Sequence, residues 1–289
     1  MEVTTDWRKQ AIELSKFVKQ DGKKLSRRQI ARILEVPKTT LQEFMKKHDE
    51  SIVLEQDFSR ILVISDMHTP FQHPKTLEFL AALKLRYSPT FVVCVGDEAD
   101  KAGLSYHEKS TSLPSAEDEL KLAQMYLKEV EKIFPQMTLL HSNHGSLAFR
   151  KAATAGIPNA YMKSYKDVYG VGDGWKWVDH LCIDLPNGLP VHFTHGRATD
   201  VTKVGKVHGM CVVQGHHHSL SKVEWWAPFG ITGKDQKRLW AMQLGCLIDD
   251  YSAAFSYNKG QMLSPLINCG IIINGKPEIV FLDELVKGK

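Results

Sequence analysis

Two rhythms of apolar residues divide the chain. Over the first fifty residues they fall at helical spacing, and from Phe58 onward short apolar runs alternate with amphipathic stretches. Trp7, Ala11, Ile12, Leu14, Phe17 and Val18 predict a first helix, broken at Asp21-Gly22. Ser26-Arg27-Arg28-Gln29 has the form of a capping box and predicts a second helix through Ile30, Ala31, Ile33 and Leu34. A tight turn at Glu35-Val36-Pro37-Lys38 precedes Thr39-Thr40-Leu41-Gln42, which reads as the cap of a third helix running through Phe44 and Met45 to Lys47. Residues 49–57 read as a linker. Strands are then predicted near 60–65, 90–95 and 137–141, with helices near 75–86 and from Ser115 to Phe134, a βαβ layout with a largely parallel sheet. Beyond Trp175 short strands near 176–183, 190–194, 210–214, 222–226, 239–244, 270–273 and 278–282 predict a second, mostly antiparallel sheet. The segment Lys101 to Pro114 reads as a loop leaving the Asp97 corner. The fold class expected is α/β, with a small all-α domain at 1–50 and a larger domain at 58–289.

An apolar content of 43% with 24% charged residues is ordinary for a globular chain of 289 residues. No run approaches the roughly 18 apolar residues that a spanning helix needs. Met1 to Asp6 has neither the basic nor the apolar part of a secretory signal. A cytoplasmic protein without a membrane partner is expected. Cys94, Cys182, Cys211, Cys246 and Cys269 are scattered, odd in number and mostly in apolar runs, which predicts buried reduced thiols. The net charge of +4 is unevenly placed: residues 1–50 hold 12 Lys and Arg against 8 Asp and Glu, and the rest of the chain is balanced. A local cationic surplus points to a polyanionic partner.

Five polar patches change the picture. Asp66-Met67-His68, Gly96-Asp97-Glu98-Ala99-Asp100, Asn143-His144, Thr194-His195-Gly196 and Gly215-His216-His217-His218 each follow an apolar strand-like run. Their side chains would gather at the carboxyl ends of strands, where open α/β sheets place their sites. Carboxylate, imidazole and amide oxygen suit Mn, Fe or Zn, and the lack of neighbouring thiols argues against a structural zinc site.

In their order and separations these patches resemble the calcineurin-like metallophosphoesterase superfamily over roughly residues 58–285. The resemblance implies a two-sheet sandwich flanked by helices and two divalent metal ions about 3.5 Å apart, Mn expected first, with Fe, Zn or Ni as alternatives. It further implies that Asp66, His68 and His218 bind one metal, that Asn143, His195 and His216 bind the other, and that Asp97 bridges them. A hydroxide shared by the metals is then the nucleophile, and His144 is the catalytic histidine that faces the substrate phosphate. Strand alternation turns His217 away from its two neighbours. Asp100 corresponds to the family's second-motif acid and would support a ligand or a turn; Asp249 and Asp250 are structural or substrate-adjacent. Two positions depart from the family pattern: Ser142 stands where Gly is usual, and Gly145 where an acid could orient His144.

The first fifty residues resemble small helix-turn-helix modules, whose second helix enters the major groove of DNA. That resemblance places Lys38, Thr39, Thr40, Gln42, Glu43, Lys46 and Lys47 towards nucleic acid, with Leu41, Phe44 and Met45 inward. The alternative is a helical cap or dimer contact. Arg150, Lys151 and Lys163 could line a phosphate path, and Trp225-Trp226 is expected to pack against the core rather than to stack on bases. Together these features predict a DNA nuclease similar to compact phage-type or Mre11-like phosphoesterases. A phosphatase or (cyclic) nucleotide phosphodiesterase capped by the helices is the alternative, and a DNA-binding regulator with a vestigial metal site is a third. Oligomeric state is left open.

Overall fold

The computed structural model describes residues 11, 14, 26–43, 56–106, 111–196, 198–228, 237–249 and 263–286. The chain divides into two compact units, Met1–Gln56 and Asp57–Lys289.

In the first unit α1 spans Arg27–Ile33 and opens on Ser26, whose hydroxyl accepts from the Gln29 N–H while the Gln29 side chain bonds back to the Ser26 N–H. The capping box read from the sequence is therefore formed. Residues 38–43 are helical as well. This helix starts earlier than Thr39 would cap it: Leu41 N–H already donates to Pro37 O at 3.0 Å, because proline's fixed φ suits a first turn. Leu34, Glu35 and Val36 form the connection, with Glu35 at a left-handed φ of 54°. Ala11, Ile30, Ala31 and Leu41 are buried together, with Leu14, Leu34 and Val36 packed around them. Phe44, Met45, Lys46, Lys47, most of the first predicted helix and most of the linker lie outside the described residues.

The second unit is a sandwich of two sheets. β1 (Arg60–Ile64), β2 (Phe91–Cys94), β3 (Met137–Leu140) and β4 (Trp175–Val178) run parallel. β10 (Asn268–Ile273) pairs antiparallel with β1, and β11 (Lys276–Phe281) with β10, giving the order β11-β10-β1-β2-β3-β4. The second sheet has the order β5-β6-β7-β9-β8, built from β5 (Leu181–Asp184), β6 (Pro190–Thr194), β7 (Cys211–Gln214), β8 (Lys222–Trp226) and β9 (Leu239–Gln243). It is not mostly antiparallel: β6, β7 and β9 run parallel, and only the outer pairs β5/β6 and β8/β9 are antiparallel. The run 176–183, expected as one strand, is two, because the chain turns at Asp179-His180 and passes from the first sheet to the second.

Alternation along β1 explains the layers. Leu62 and Ile64 face a core shared with α2 (Thr76–Tyr87) and α3 (Ala116–Ile133), whereas Ile61 and Val63 face the second sheet. All four side chains are fully buried. Each such burial is worth about 1.5–3 kcal/mol, so the unbroken apolar run belongs in the middle of the sandwich. α4 (Leu147–Thr154) and α5 (Tyr165–Tyr169) follow β3, and α6 (Val201–His208) covers the outer face of the second sheet through Val201, Val212 and Ala241. Among the short strands beyond Trp175, α6 is a helix, capped by Asp200. Among the described residues no helix is long and apolar enough to cross a membrane. Cys94, Cys211, Cys246 and Cys269 are buried free thiols, and Cys182 on β5 is an exposed one.

Candidate metal centre

All five polar patches lie at carboxyl ends of parallel strands: β1, β2 and β3 from the first sheet, β6 and β7 from the second. The sandwich brings them together. Asp66, His68 and His218 form one group of mutually close donor atoms, and Asp97, His195 and His216 another; a third joins His68, Asp100 and His144.

The two aspartates are held alike. Asp66 Oδ2 accepts the His216 N–H at 2.9 Å and the Ser65 hydroxyl, which leaves Oδ1 facing His218 Nε2 at 3.3 Å and His68 Nε2 at 3.8 Å. Asp97 Oδ1 accepts the His144 N–H at 3.1 Å, while Oδ2 lies 3.2 Å from His195 Nε2 and 3.6 Å from His68 Nε2. Asp97 therefore touches both groups. Asn143 Oδ1 completes the second at 2.6 Å from His195 Nε2, with His216 Nδ1 3.1 Å from the same nitrogen. The other ring nitrogen, His195 Nδ1, donates to Val95 O at 3.1 Å and so fixes which side of the ring faces inward.

Local backbone is strained where these groups converge. Asp66, His68, Asp97 and His216 have φ of 49°, 48°, 51° and 71°, a region that side-chain-bearing residues seldom occupy and that gathers at functional sites. Two glycines make room. A Cβ on Gly96 would stand 2.7 Å from Ser142 Cβ and 3.0 Å from His195 Nδ1, and one on Gly215 would stand 2.1 Å from Ser65 Oγ. Ser142 is more than tolerated in place of glycine, since its hydroxyl accepts the N–H groups of Asp97 and Gly145, both at 3.0 Å.

The donor chemistry fits divalent cations. Asp66, His68 and Asp97 are at most 1% exposed, and buried carboxylates without a cation are costly. Burial opposes ionisation of Asp66 and of Asp97, yet bonds from His218 and His68 hold Asp66 well below its ordinary value, and the charge of His195 does the same for Asp97. Reciprocally, burial disfavours charge on His68 and His195, but Asp100 and Asp66 push His68 up to about 10, and Asp97 pushes His195 up to about 9. Burial and then the charge of His195 drive His216 down to about 4. The buried carboxylates thus draw positive charge onto His68 and His195. A single ring nitrogen, His195 Nε2, also faces three polar atoms although it can donate to only one, the crowding expected of atoms arranged around an ion rather than around each other.

Asp100 takes up the orienting task that Gly145 cannot perform. Its Oδ1 accepts from His68 Nδ1 at 2.6 Å, and its backbone carbonyl accepts from His144 Nδ1. A carboxylate behind an imidazole fixes tautomer and ring angle. Burial lowers the pKa of His144. The turn after His144 is gripped by Lys101 Nζ and Tyr165 Oη, which donate to Gly145 O at 2.6 and 3.0 Å. His217 bonds to Ala198 O at 3.0 Å, outside the donor groups.

Other predicted positions divide. Lys38, Thr39, Thr40, Gln42 and Glu43 are exposed on the helical segment 38–43, Leu41 is buried, and Lys46 and Lys47 lie outside the described residues. Arg150 and Lys151 stand on α4; Lys163, by contrast, lines a cavity of about 370 Å³ with Phe149, Met162 and Tyr165. Trp226 packs on Gly205 and the core, whereas Trp225 is 48% exposed, contrary to the packing expected of both. Asp249 N–H donates to Phe71 O, and Asp250 lies outside the described residues. Sequence reading missed Glu119. Its carboxylate accepts the N–H groups of Ala102 and Gly103, both at 2.7 Å, and pins the base of the loop that leaves Asp100.

A family model for calcineurin-like phosphoesterases matches residues 59–260. The chain belongs to this family. Membership brings metal-dependent hydrolysis of phosphoesters, and the donor groups above are where divalent cations could be held. A search of curated proteins finds no match. Among solved structures the phosphoesterase domain is similar to an archaeal phosphodiesterase, at 14% identity and a TM-score of 0.40, covering 77% of this chain and 99% of that one. It is also similar to vacuolar protein sorting 29 from Cryptosporidium parvum, at 12% identity and a TM-score of 0.38, covering 77% and 95%. Vps29 from Chaetomium thermophilum gives 11%, 0.37, 76% and 93%.

Proposed function

We propose that this phosphoesterase is a two-metal phosphodiesterase acting on DNA. Asp66, His68 and His218 would hold one cation, Asn143, His195 and His216 the other, and Asp97 both. The observation that carries the dinuclear reading is Asp97 Oδ2, which lies 3.6 Å from His68 Nε2 and 3.2 Å from His195 Nε2. When bound, divalent cations such as Mn supply Lewis acidity and lower the pKa of water.

The chain's own residues do the rest. Asp66 and Asp97 each spend one oxygen on a backbone N–H and keep the other for the centre. Asp100 sets the His68 ring. His144, with Nδ1 held by the Asp100 carbonyl, has Nε2 as its remaining ring nitrogen for exchanging a proton with a leaving oxygen. Exposed Lys38, Thr39, Thr40 and Gln42, with Lys46 and Lys47 beyond the described segment, would supply a second, weak hold on DNA and raise the local concentration of phosphodiesters.

The test is hydrolysis of plasmid and linear duplex DNA, single-stranded DNA, a chromogenic diester and a chromogenic monoester with Mn, Mg, Zn or Ni. DNA cleavage that is lost in Asp97→Asn and in His216→Ala supports the reading. Turnover of the small diester or of a monoester with no cleavage of any DNA replaces it with a phosphatase or nucleotide phosphodiesterase whose helical unit is a cap.

A further inference from the structure

Beside the donor groups, three side chains that take no part in them come together. Tyr106 follows the short helical turn Ala102–Leu104 and is 60% exposed. Lys151 Nζ stands 4.5 Å from the centroid of its ring and Arg150 Cζ 5.9 Å. Arg150 in turn donates from Nη2 to Asn143 O at 2.9 Å, and the side chain of that same Asn143 faces His195. One residue therefore ties the cluster to the metal centre.

As a surface contact the cluster is weak, since exposed cation–aromatic pairs contribute little. Its composition is what an unpaired nucleotide needs. An exposed ring face can stack on a base, which requires a base whose own face is uncovered, as in a single strand or at an end and not within a duplex. Two cations against that ring supply phosphate neutralisation, and a guanidinium anchored on the backbone of a metal-facing residue loses little freedom when it meets an anion.

We propose that Tyr106, Arg150 and Lys151 form a subsite for an unpaired nucleotide flanking the scissile phosphodiester, with Tyr106 stacking on the base and the cations meeting the phosphate. The inference rests on the nucleic-acid reading above and narrows it to single strands or strand ends.

The experiment uses the full chain with Mn and compares cleavage of an oligothymidylate with that of a base-free oligomer of the same length. The wild type is expected to show a KM about tenfold or more lower for the base-bearing oligomer. Tyr106→Ala removes that preference with kcat little changed, Tyr106→Phe retains it, and Arg150→Gln or Lys151→Gln raises KM for both oligomers and flattens its salt dependence. A preference that survives Tyr106→Ala, or is absent from the wild type, overturns the subsite while leaving the nuclease reading intact. Cleavage of duplex DNA with neither oligomer cut overturns the subsite alone, and hydrolysis of the chromogenic diester with neither oligomer nor duplex cut overturns the nucleic-acid reading itself, and the subsite with it.

Discussion

Ionisable side chains are used in opposite ways by the two units of the chain. In the phosphoesterase unit Asp66, His68, Asp97 and Asp100 are at most 3% exposed and are committed to one another. In the helical unit Arg27, Arg28, Arg32 and Lys38 are all exposed around a core of Ala11, Ile30, Ala31 and Leu41. Buried charges act as a set: removing one leaves its partners unpaired in a poorly polarisable surrounding, so single substitutions have large effects. Exposed cations act by summation, each contributing a small, salt-screened share to attraction for a polyanion. The first arrangement suits chemistry at one point, and the second suits contact with an extended anion.

The sharpest break of this contrast is Asp97→Asn. It removes charge from the one carboxylate shared by both donor groups, and Mn-dependent diester hydrolysis should fall about 10³-fold with loss of bound metal. Activity within tenfold of wild type, at full metal content, would contradict the shared role. Next, Asp100→Asn takes the charge off the acceptor that fixes His68, and a 10–100-fold loss in metal affinity or turnover is expected, read by metal titration alongside kinetics. Gly215→Ala should lower stability by about 1–3 kcal/mol, because its new methyl would stand 2.1 Å from Ser65 Oγ. A thermal melt unchanged from wild type would mean that the β7 turn yields more easily than its neighbours suggest. Lys38→Gln is the smallest: DNA affinity should drop a few-fold, and the slope of log K against log salt should lessen by about one unit, as measured by anisotropy at several salt concentrations. A large, salt-independent loss there would place Lys38 among committed charges and erase the distinction.

Much of the site was legible because each donor patch sits just past an apolar run, and a strand that ends in polar residues advertises its carboxyl end. The order of strands was not. Nothing in the alternation of 176–183 reveals that Trp177 belongs to one sheet and Ile183 to the other, since both halves carry similar patterns and the decision is made by partners distant in sequence. Glu119 left a trace that was overlooked: it falls in step with Ala123, Leu127 and Val130 on the buried stripe of α3. A carboxylate at such a position needs donors, but which donors, the N–H groups at 102 and 103, only the folded loop tells. The partnership of Asp100 with His68 was hidden likewise, because 32 residues separate two groups that meet at 2.6 Å.

The left-handed residues at Asp66, His68, Asp97 and His216 carry one more implication. Each such conformation costs of order 1 kcal/mol or more outside glycine, so an isolated peptide bearing any one of these turns would spend its time in other shapes and grasp a cation poorly. The geometry that could hold a cation therefore belongs to the assembled sheets, and because the donor groups of Asp66 and of Asp97 each take residues from both of them, unfolding of either sheet breaks up both groups at once.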